Sequence, residues 1–199
     1  MGVLAIDPGT EKSGWVYLKN GILDRMETDP LPVNYGWTEN KELLTIIKAV
    51  GCPIVIEDVS HMGMPVGRDV FQTVRWTGKF ERQAEFFNQR VDYISRSEVK
   101  LYICGSPRAN DSTIRQAIID YYGGTQIAIG GKKCVSCRGK TWIGRRHLPC
   151  EDCNQSGYET PVGPLKNITG HVWQALAVGL TWTGFERKTL QKLANSLKI

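Results

Sequence analysis

Positions 3 to 6 carry Val, Leu, Ala and Ile without alternation, and the run ends on Asp7 before Pro-Gly-Thr. An unbroken short apolar run is what a central strand covered on both faces looks like. Pro8 fixes φ and Gly9 tolerates positive φ, so Asp7-Pro8-Gly9-Thr10 reads as a type II turn that leaves the Asp7 carboxylate at the strand's C-terminal edge. Residues 14–19 and 21–27 then read as two strands joined at Asn20-Gly21, a hairpin signal that makes the opening a three-strand antiparallel meander. Residues 29–35 hold two prolines and read as a loop. Leu43, Leu44, Ile46, Ile47 and Val50 recur at helical spacing and predict a helix over 37–50. Residues 53–57 (PIVIE) repeat the opening design, an apolar strand ending on the carboxylate of Glu57. The helical crossover predicts that this strand lies parallel to the first.

Further along, residues 63–67 form a Met-Pro-Gly loop, and residues 68–90 predict a long helix with Trp76, Phe80, Phe86 and Phe87 on its buried side. A short strand is expected at 91–95, whereas 98–104 suits either strand or helix. Asn110 or Asp111 can cap a helix over 112–122, which Gly123-Gly124 ends. Residues 130–164 show little periodicity. Residues 169–183 return to an apolar helical pattern, and residues 185–199 predict a separate amphipathic, basic helix.

A chain of 199 residues can bury about 70% of the surface its unfolded form exposes, enough for one full core and a small accessory module. The expected organisation is a main domain of residues 1–129 and 165–199 and an inserted module of residues 130–164. No apolar run reaches membrane-spanning length and no basic segment precedes a short apolar one, so a soluble, cytoplasmic protein without membrane contact is expected. The formal net charge of +5 is unevenly placed. Lys132, Lys133, Arg138, Lys140, Arg145 and Arg146 share a stretch without an acid, an electrostatic footprint for a polyanion, nucleic acid first.

Cys134-Val-Ser-Cys137 lies within this stretch and Cys150-Glu-Asp-Cys153 follows just after it. Each CxxC places two thiolates on one tight turn, and two such turns supply the four soft ligands of a closed, structural zinc site. His147 is a substitute ligand, and a disulfide pair is the alternative where the compartment is oxidising. Cys52 and Cys104, in apolar settings, are expected to be buried free thiols.

Asp7 and Glu57, at the ends of two neighbouring strands, can share divalent metal; Asp7 alone could equally accept hydrogen bonds from its turn. His171, at the start of the late helix, is a candidate third ligand, with Gln174 one turn on along the same face. Taken together, the Asp-Pro-Gly-Thr turn followed by Gly14, the strand Ile54-Val-Ile-Glu57, the stretch Cys104-Gly-Ser-Pro-Arg-Ala-Asn-Asp-Ser-Thr-Ile-Arg115-Gln and the helix His171-Val-Trp-Gln-Ala-Leu-Ala-Val resemble RuvC-type Holliday junction resolvases, phage-type members included.

That resemblance implies an RNase H-like fold of the retroviral integrase superfamily, a five-strand mixed sheet of order 3-2-1-4-5 flanked by helices. It also implies a homodimer that cuts opposed strands of a four-way DNA junction with two Mg2+ or Mn2+ ions per site, beside a structural Zn2+ in the cysteine module. Asp7 and Glu57 match the family's first two metal-binding carboxylates, and His171 matches a position that is His or Asp. Gln174 departs from the pattern, because resolvases usually carry a carboxylate there. Asp58, Asp111 or substrate oxygens are left to complete the second metal site, although Asp111 is also read as a helix cap. The cysteine module is a second departure. The expected DNA contacts are Arg68, Lys132, Lys133, Arg138, Arg145 and Arg146, with His61, Met62 and Met64 on a loop that faces the junction centre in the resolvases. The rival readings are a nuclease for other branched DNA or RNA-DNA hybrids, and a junction-binding protein with little turnover.

Overall fold

The first apolar run forms strand β1 (Gly2–Asp7), the middle of a five-stranded mixed sheet. In this computed structural model, residues 2–20, 30–60, 66–144, 147–153, 155, 157–159 and 163–196 are described. β2 (Lys12–Asn20) runs antiparallel to β1, and β3 (Pro30–Glu39) antiparallel to β2. On the other side β4 (Ile54–Asp58) and β5 (Val91–Ser95) continue the sheet in parallel, giving the order β3-β2-β1-β4-β5. This is the RNase H-like arrangement that the resemblance implies.

The unbroken apolar run has a simple geometric cause. Successive strand side chains point to opposite faces, and here both faces are covered. Val3 and Ala5 join Val16, Leu18 and Val55 in one core, while Leu4 and Ile6 join Trp15, Ile54 and Ile56 in the other. Helices α1 (Asn40–Val50) and α2 (Arg68–Phe86) close the second core with Leu43, Ile47, Phe80 and Ala84, all wholly buried. Helix α3 (Arg96–Cys104), α4 (Asp111–Tyr121), the short α5 (Thr125–Ala128) and α6 (Val172–Ser196) close the first. Ala175, Leu176, Ala177 and Val178 are fully buried in that core. Each large aliphatic side chain so buried contributes on the order of 1.5–3 kcal/mol.

The structure corrects several expectations. Residues 30–35 are strand, not loop, and the helix begins at Asn40 rather than at 37. The prolines are tolerated because β3 is an edge strand, where a missing N–H disrupts no central ladder. The register slips between Tyr17 and Leu18, whose partners are Asn34 and Pro32, so Val33 is a bulge. Asn20 ends β2, and the expected turn from Gly21 and the strand over 21–27 lie outside the described residues. The long helix stops at Phe86, leaving Arg90 in the approach to β5, and Phe86 is exposed instead of buried. The ambiguous stretch at 98–104 is helical, because Ser95 and Glu98 form a reciprocal capping box at the start of α3. Asn110, not Asp111, caps α4 by accepting from the Thr113 amide. The two expected C-terminal helices are one helix, α6. Cys52 and Cys104 are free and half-buried.

Beyond α5 the chain leaves and re-enters the core at one place, where the Gly163 and Leu165 amides donate to Ile129 and Ala128. Between these points lie two ladders of two residues per strand, β6 (Lys132–Lys133) with β9 (Tyr158–Glu159) and β7 (Trp142–Ile143) with β8 (Leu148–Pro149). No helix among the described residues is long and apolar enough to cross a membrane.

Candidate active site

Ile6 pairs with Ile56 in parallel register, so the following residues, Asp7 and Glu57, leave the sheet side by side at its C-terminal edge. Open α/β sheets gather their ligands at that edge. The turn after Asp7 is pinned from behind: the Gly9 amide donates to Ser13 Oγ at 3.1 Å, Ser13 donates to Asn40 Oδ1 at 2.6 Å, and Asn40 Nδ2 donates to the Gly9 carbonyl at 2.9 Å. Gly9 does not have the positive φ of a type II turn. Glycine is required there because a Cβ would lie 2.2 Å from the Lys12 carbonyl oxygen.

Gly14 stands opposite Asp7 in the β1–β2 ladder. A Cβ at Gly14 would meet the His171 carbonyl oxygen at 2.5 Å, so its absence lets the start of α6 lie against β2 next to Asp7. His171 Nδ1 is consequently 2.9 Å from Asp7 Oδ2, and the His171 ring stacks on Trp37 with centroids 6.0 Å apart. The His171 carbonyl accepts from the Gln174 and Ala175 amides, which starts the helix.

The second carboxylate has a partner that sequence reasoning missed. Arg96, the first residue of α3, is only 16% exposed, and its Nη1 donates to Glu57 Oε2 at 3.3 Å. Its other arm donates to Asp111 Oδ1, and Gln174 Nε2 donates to Asp111 Oδ2 at 3.1 Å. The chain Glu57–Arg96–Asp111–Gln174 thus joins the ends of β4, α3, α4 and α6. The capping motifs at Ser95 and Asn110 were the available signals, since each fixes a helix start and hence the direction of the next side chain. Trp37 carries no such signal, since the sequence predicts helix there and the structure places it in β3.

Burial, then the Asp7 charge, pushes the Glu57 carboxyl up to about 7, against the pull of Arg96. The hydrogen bond to Asp7 raises His171 despite partial burial. Two carboxylates confined together in this way favour a cation between them. A cleft of about 270 Å³ opens here, lined by Asp7, Glu57, Asp58, Ser60, Thr73 and Arg96. Its oxygen donors are hard, and with one imidazole they suit Mg2+ or Mn2+. The donor set therefore fits the ions that the resemblance implies.

The cysteines meet more tightly. Among the described residues, Cys134, Cys137, Cys150 and Cys153 are the one group of three or more His, Cys, Asp or Glu whose ligand atoms all lie within 4.8 Å of one another. The Sγ separations of 3.8 Å for Cys134–Cys150 and 3.6 Å for Cys137–Cys153 match the edge of a tetrahedron with Zn–S bonds of about 2.3 Å, which is about 3.8 Å. All four are free thiols, not disulfides. The Gly157 amide donates to Cys153 Sγ at 3.2 Å, the outer-shell bond expected around a thiolate. His147 does not join this group of ligand atoms; its ring packs on Trp142 with centroids 4.0 Å apart.

Lys132, Lys133, Arg138 and Lys140 are exposed on this segment. Arg138, Lys140, Trp142 and His147 line a groove of about 530 Å³, with Lys140 Nζ 5.3 Å from the Trp142 ring centre. Arg68 is exposed at the start of α2. Arg145, Arg146 and the His61, Met62, Met64 loop lie outside the described residues.

No family model matches the sequence, and no curated protein matches it. Solved structures do. The Thermus thermophilus RuvC structure is similar over 94% of this chain and 96% of its own, with 14% identity and a TM-score of 0.56. T. thermophilus RuvC in complex with a Holliday junction substrate is similar over 95% and 96%, at 14% identity and a TM-score of 0.59. What these matches establish is architecture: the chain is folded as RuvC is folded.

Proposed function

We propose that the protein is a metal-dependent, structure-specific endonuclease that hydrolyses DNA phosphodiester bonds at four-way junctions. The observation that carries this reading is the pair Asp7 and Glu57, held side by side at the ends of parallel strands with His171 on Asp7. The RuvC fold supports it, as does the junction substrate bound by the T. thermophilus protein. Asp7, Glu57 and His171 would hold Mg2+ or Mn2+. When bound, such ions supply charge neutralisation at the phosphate and a more acidic water. The protein's own work is positional. The Ser13–Asn40 bonds fix the Asp7 turn, Gly14 admits His171, and the sheet edge keeps both carboxylates facing the cleft.

Residues 130–164 serve as an inserted zinc-binding module on a nuclease domain of residues 1–129 and 165–199. Lys132, Lys133 and Arg138 of the module, with Arg145, Arg146 and Arg68, contact DNA phosphates. A two-fold homodimer matches the two opposed strands of a junction. One observation favours a binding protein with little turnover: Arg96 already neutralises part of the Glu57 charge. Incubating the protein and Asp7→Asn with labelled four-way junction, linear duplex and RNA-DNA hybrid, with Mg2+ or Mn2+, separates the readings. Cutting of the junction by the unaltered protein alone is the expected result. Metal-dependent cutting of the hybrid in preference would move the substrate, and no cutting of any of them would favour binding only.

A further inference from the structure

The carboxylate site contains a cation of its own. Arg96 is nearly buried, and the two arms of its planar fork divide between Glu57 Oε2 and Asp111 Oδ1. A guanidinium cannot lose its charge in a protein, so it neutralises the pair permanently while it remains there. Its two acids differ in freedom. Glu57 is 13% exposed at the end of an inner strand, whereas Asp111 is 62% exposed at the first position of a helix. The other Asp111 oxygen takes a hydrogen bond from Gln174, one turn along α6 from His171. Asp111 is therefore tied to the helix start that carries His171 and, through Arg96, to the strand end that carries Glu57.

We propose that Asp111 is a fourth ligand of the divalent-metal site and that Arg96 is the positioning residue that holds it there in the metal-free protein, yielding its place when metal binds. The proposal rests on the metal-site reading given above. Gln174 has a specific task within it. An amide at that position cannot contribute a negative charge, but its N–H can steer the carboxylate of another helix. Displacement leaves Arg96 at the wall of the cleft it lines, where its fork matches the oxygens of a phosphodiester. The exchange moves no covalent bond: one cation replaces another between two carboxylates.

The proposal predicts opposite responses from two neutralising substitutions. Mn2+ binding to DNA-free protein, followed by the electron paramagnetic resonance signal of free Mn2+ and by calorimetry, should weaken about 10- to 100-fold in Asp111→Asn. Asp111→Glu should recover part of the loss. Arg96→Met removes the competing cation and should tighten Mn2+ about tenfold. If Arg96 and Asp111 merely staple α3 to α4, both changes lower Tm and neither tightens Mn2+, which overturns the proposal. Unchanged Mn2+ affinity in a folded Asp111→Asn protein also overturns it. Should Arg96→Met fail to fold, Arg96→Lys, which keeps the charge but loses the fork, replaces it: tighter binding supports the proposal, and equal or weaker binding overturns it. Asp7→Asn and Glu57→Gln, titrated alongside, separate the two levels. If they lose Mn2+ and Asp111→Asn does not, this inference alone fails. If they bind Mn2+ as the unaltered protein does, the metal-site reading fails with it.

Discussion

The sheet and the cysteine segment solve the same problem, holding charged groups in fixed positions, by opposite means. Around Asp7 and Glu57 the scaffold is apolar and two-sided, and Leu4, Ile6, Ile54 and Ile56 are completely buried behind the carboxylates. Around Cys134, Cys137, Cys150 and Cys153 the strands are two residues long, and among the described residues the local buried cluster consists of the four cysteines. A site built on a core can remain open for chemistry because its ligands do not hold the fold together. A site that replaces a core must be closed, since the ion supplies the folding energy.

On the zinc-binding reading proposed above, the largest effect should follow from chelation. Structural zinc sites bind with on the order of 10 kcal/mol of apparent free energy, so a chelator, or Cys150→Ser, should unfold the cysteine segment. Because its ends are tied together at Ala128 and Ile129, the sheet should keep its far-ultraviolet circular dichroism and its thermal transition. Trp142 fluorescence reports one event and calorimetry the other; a single joint transition would break the comparison.

Next in size, Asp7→Asn should reduce junction cutting about a thousandfold or more, roughly 4 kcal/mol of barrier, with Tm nearly unchanged. A large loss of Tm would place Asp7 among the residues that support the fold.

The pH dependence of the metal-free protein sharpens the contrast further. The folded value of Glu57 lies near 7, above the ordinary 4.5, so the folded chain keeps a proton that the unfolded chain has released. The associated stability is complete below about pH 4.5 and lost as pH rises through about 7, on the order of 3 kcal/mol. His171, also raised, acts in the same direction: its contribution is complete below 6.5 and lost above its folded value. Urea unfolding between pH 5 and 8 should show this decline, flattened in Glu57→Gln and reversed by Mg2+. A Glu57→Gln protein with the original slope would show that another group is responsible.

The smallest effect concerns the exposed lysines of β6. Lys132→Ala and Lys133→Ala should each weaken junction binding modestly and lower the slope of log K against log salt by about 1, without affecting stability. Fluorescence anisotropy at several salt concentrations measures both; an unchanged slope would remove these lysines from the DNA contact.

Much of the candidate site was legible because its signals are local. An apolar run that ends on an acid announces both a buried strand and a carboxylate at its end, and it does so twice, at Asp7 and Glu57. The CxxC spacing carries its own chemistry. Residues 30–35 read as loop because proline argues against strand in general, and only the sheet order reveals an edge that tolerates it. Arg96, Trp37 and the placement of Asp111 were hidden for a different reason. Nothing in the neighbourhood of Arg96 in sequence says that its fork will reach a glutamate 39 positions earlier and an aspartate 15 positions later.

The sequence by itself determined the unbroken apolar run that makes β1 a strand covered on both faces, the helix start near Asn110, and the four soft ligands of the cysteine segment, because these depend on spacing along one stretch of chain. Only the tertiary structure decided which charges meet: His171 against Asp7 across the gap left by Gly14, and Arg96 between Glu57 and Asp111. Such pairings depend on where separate elements end in space, and that is set by packing of the whole sheet.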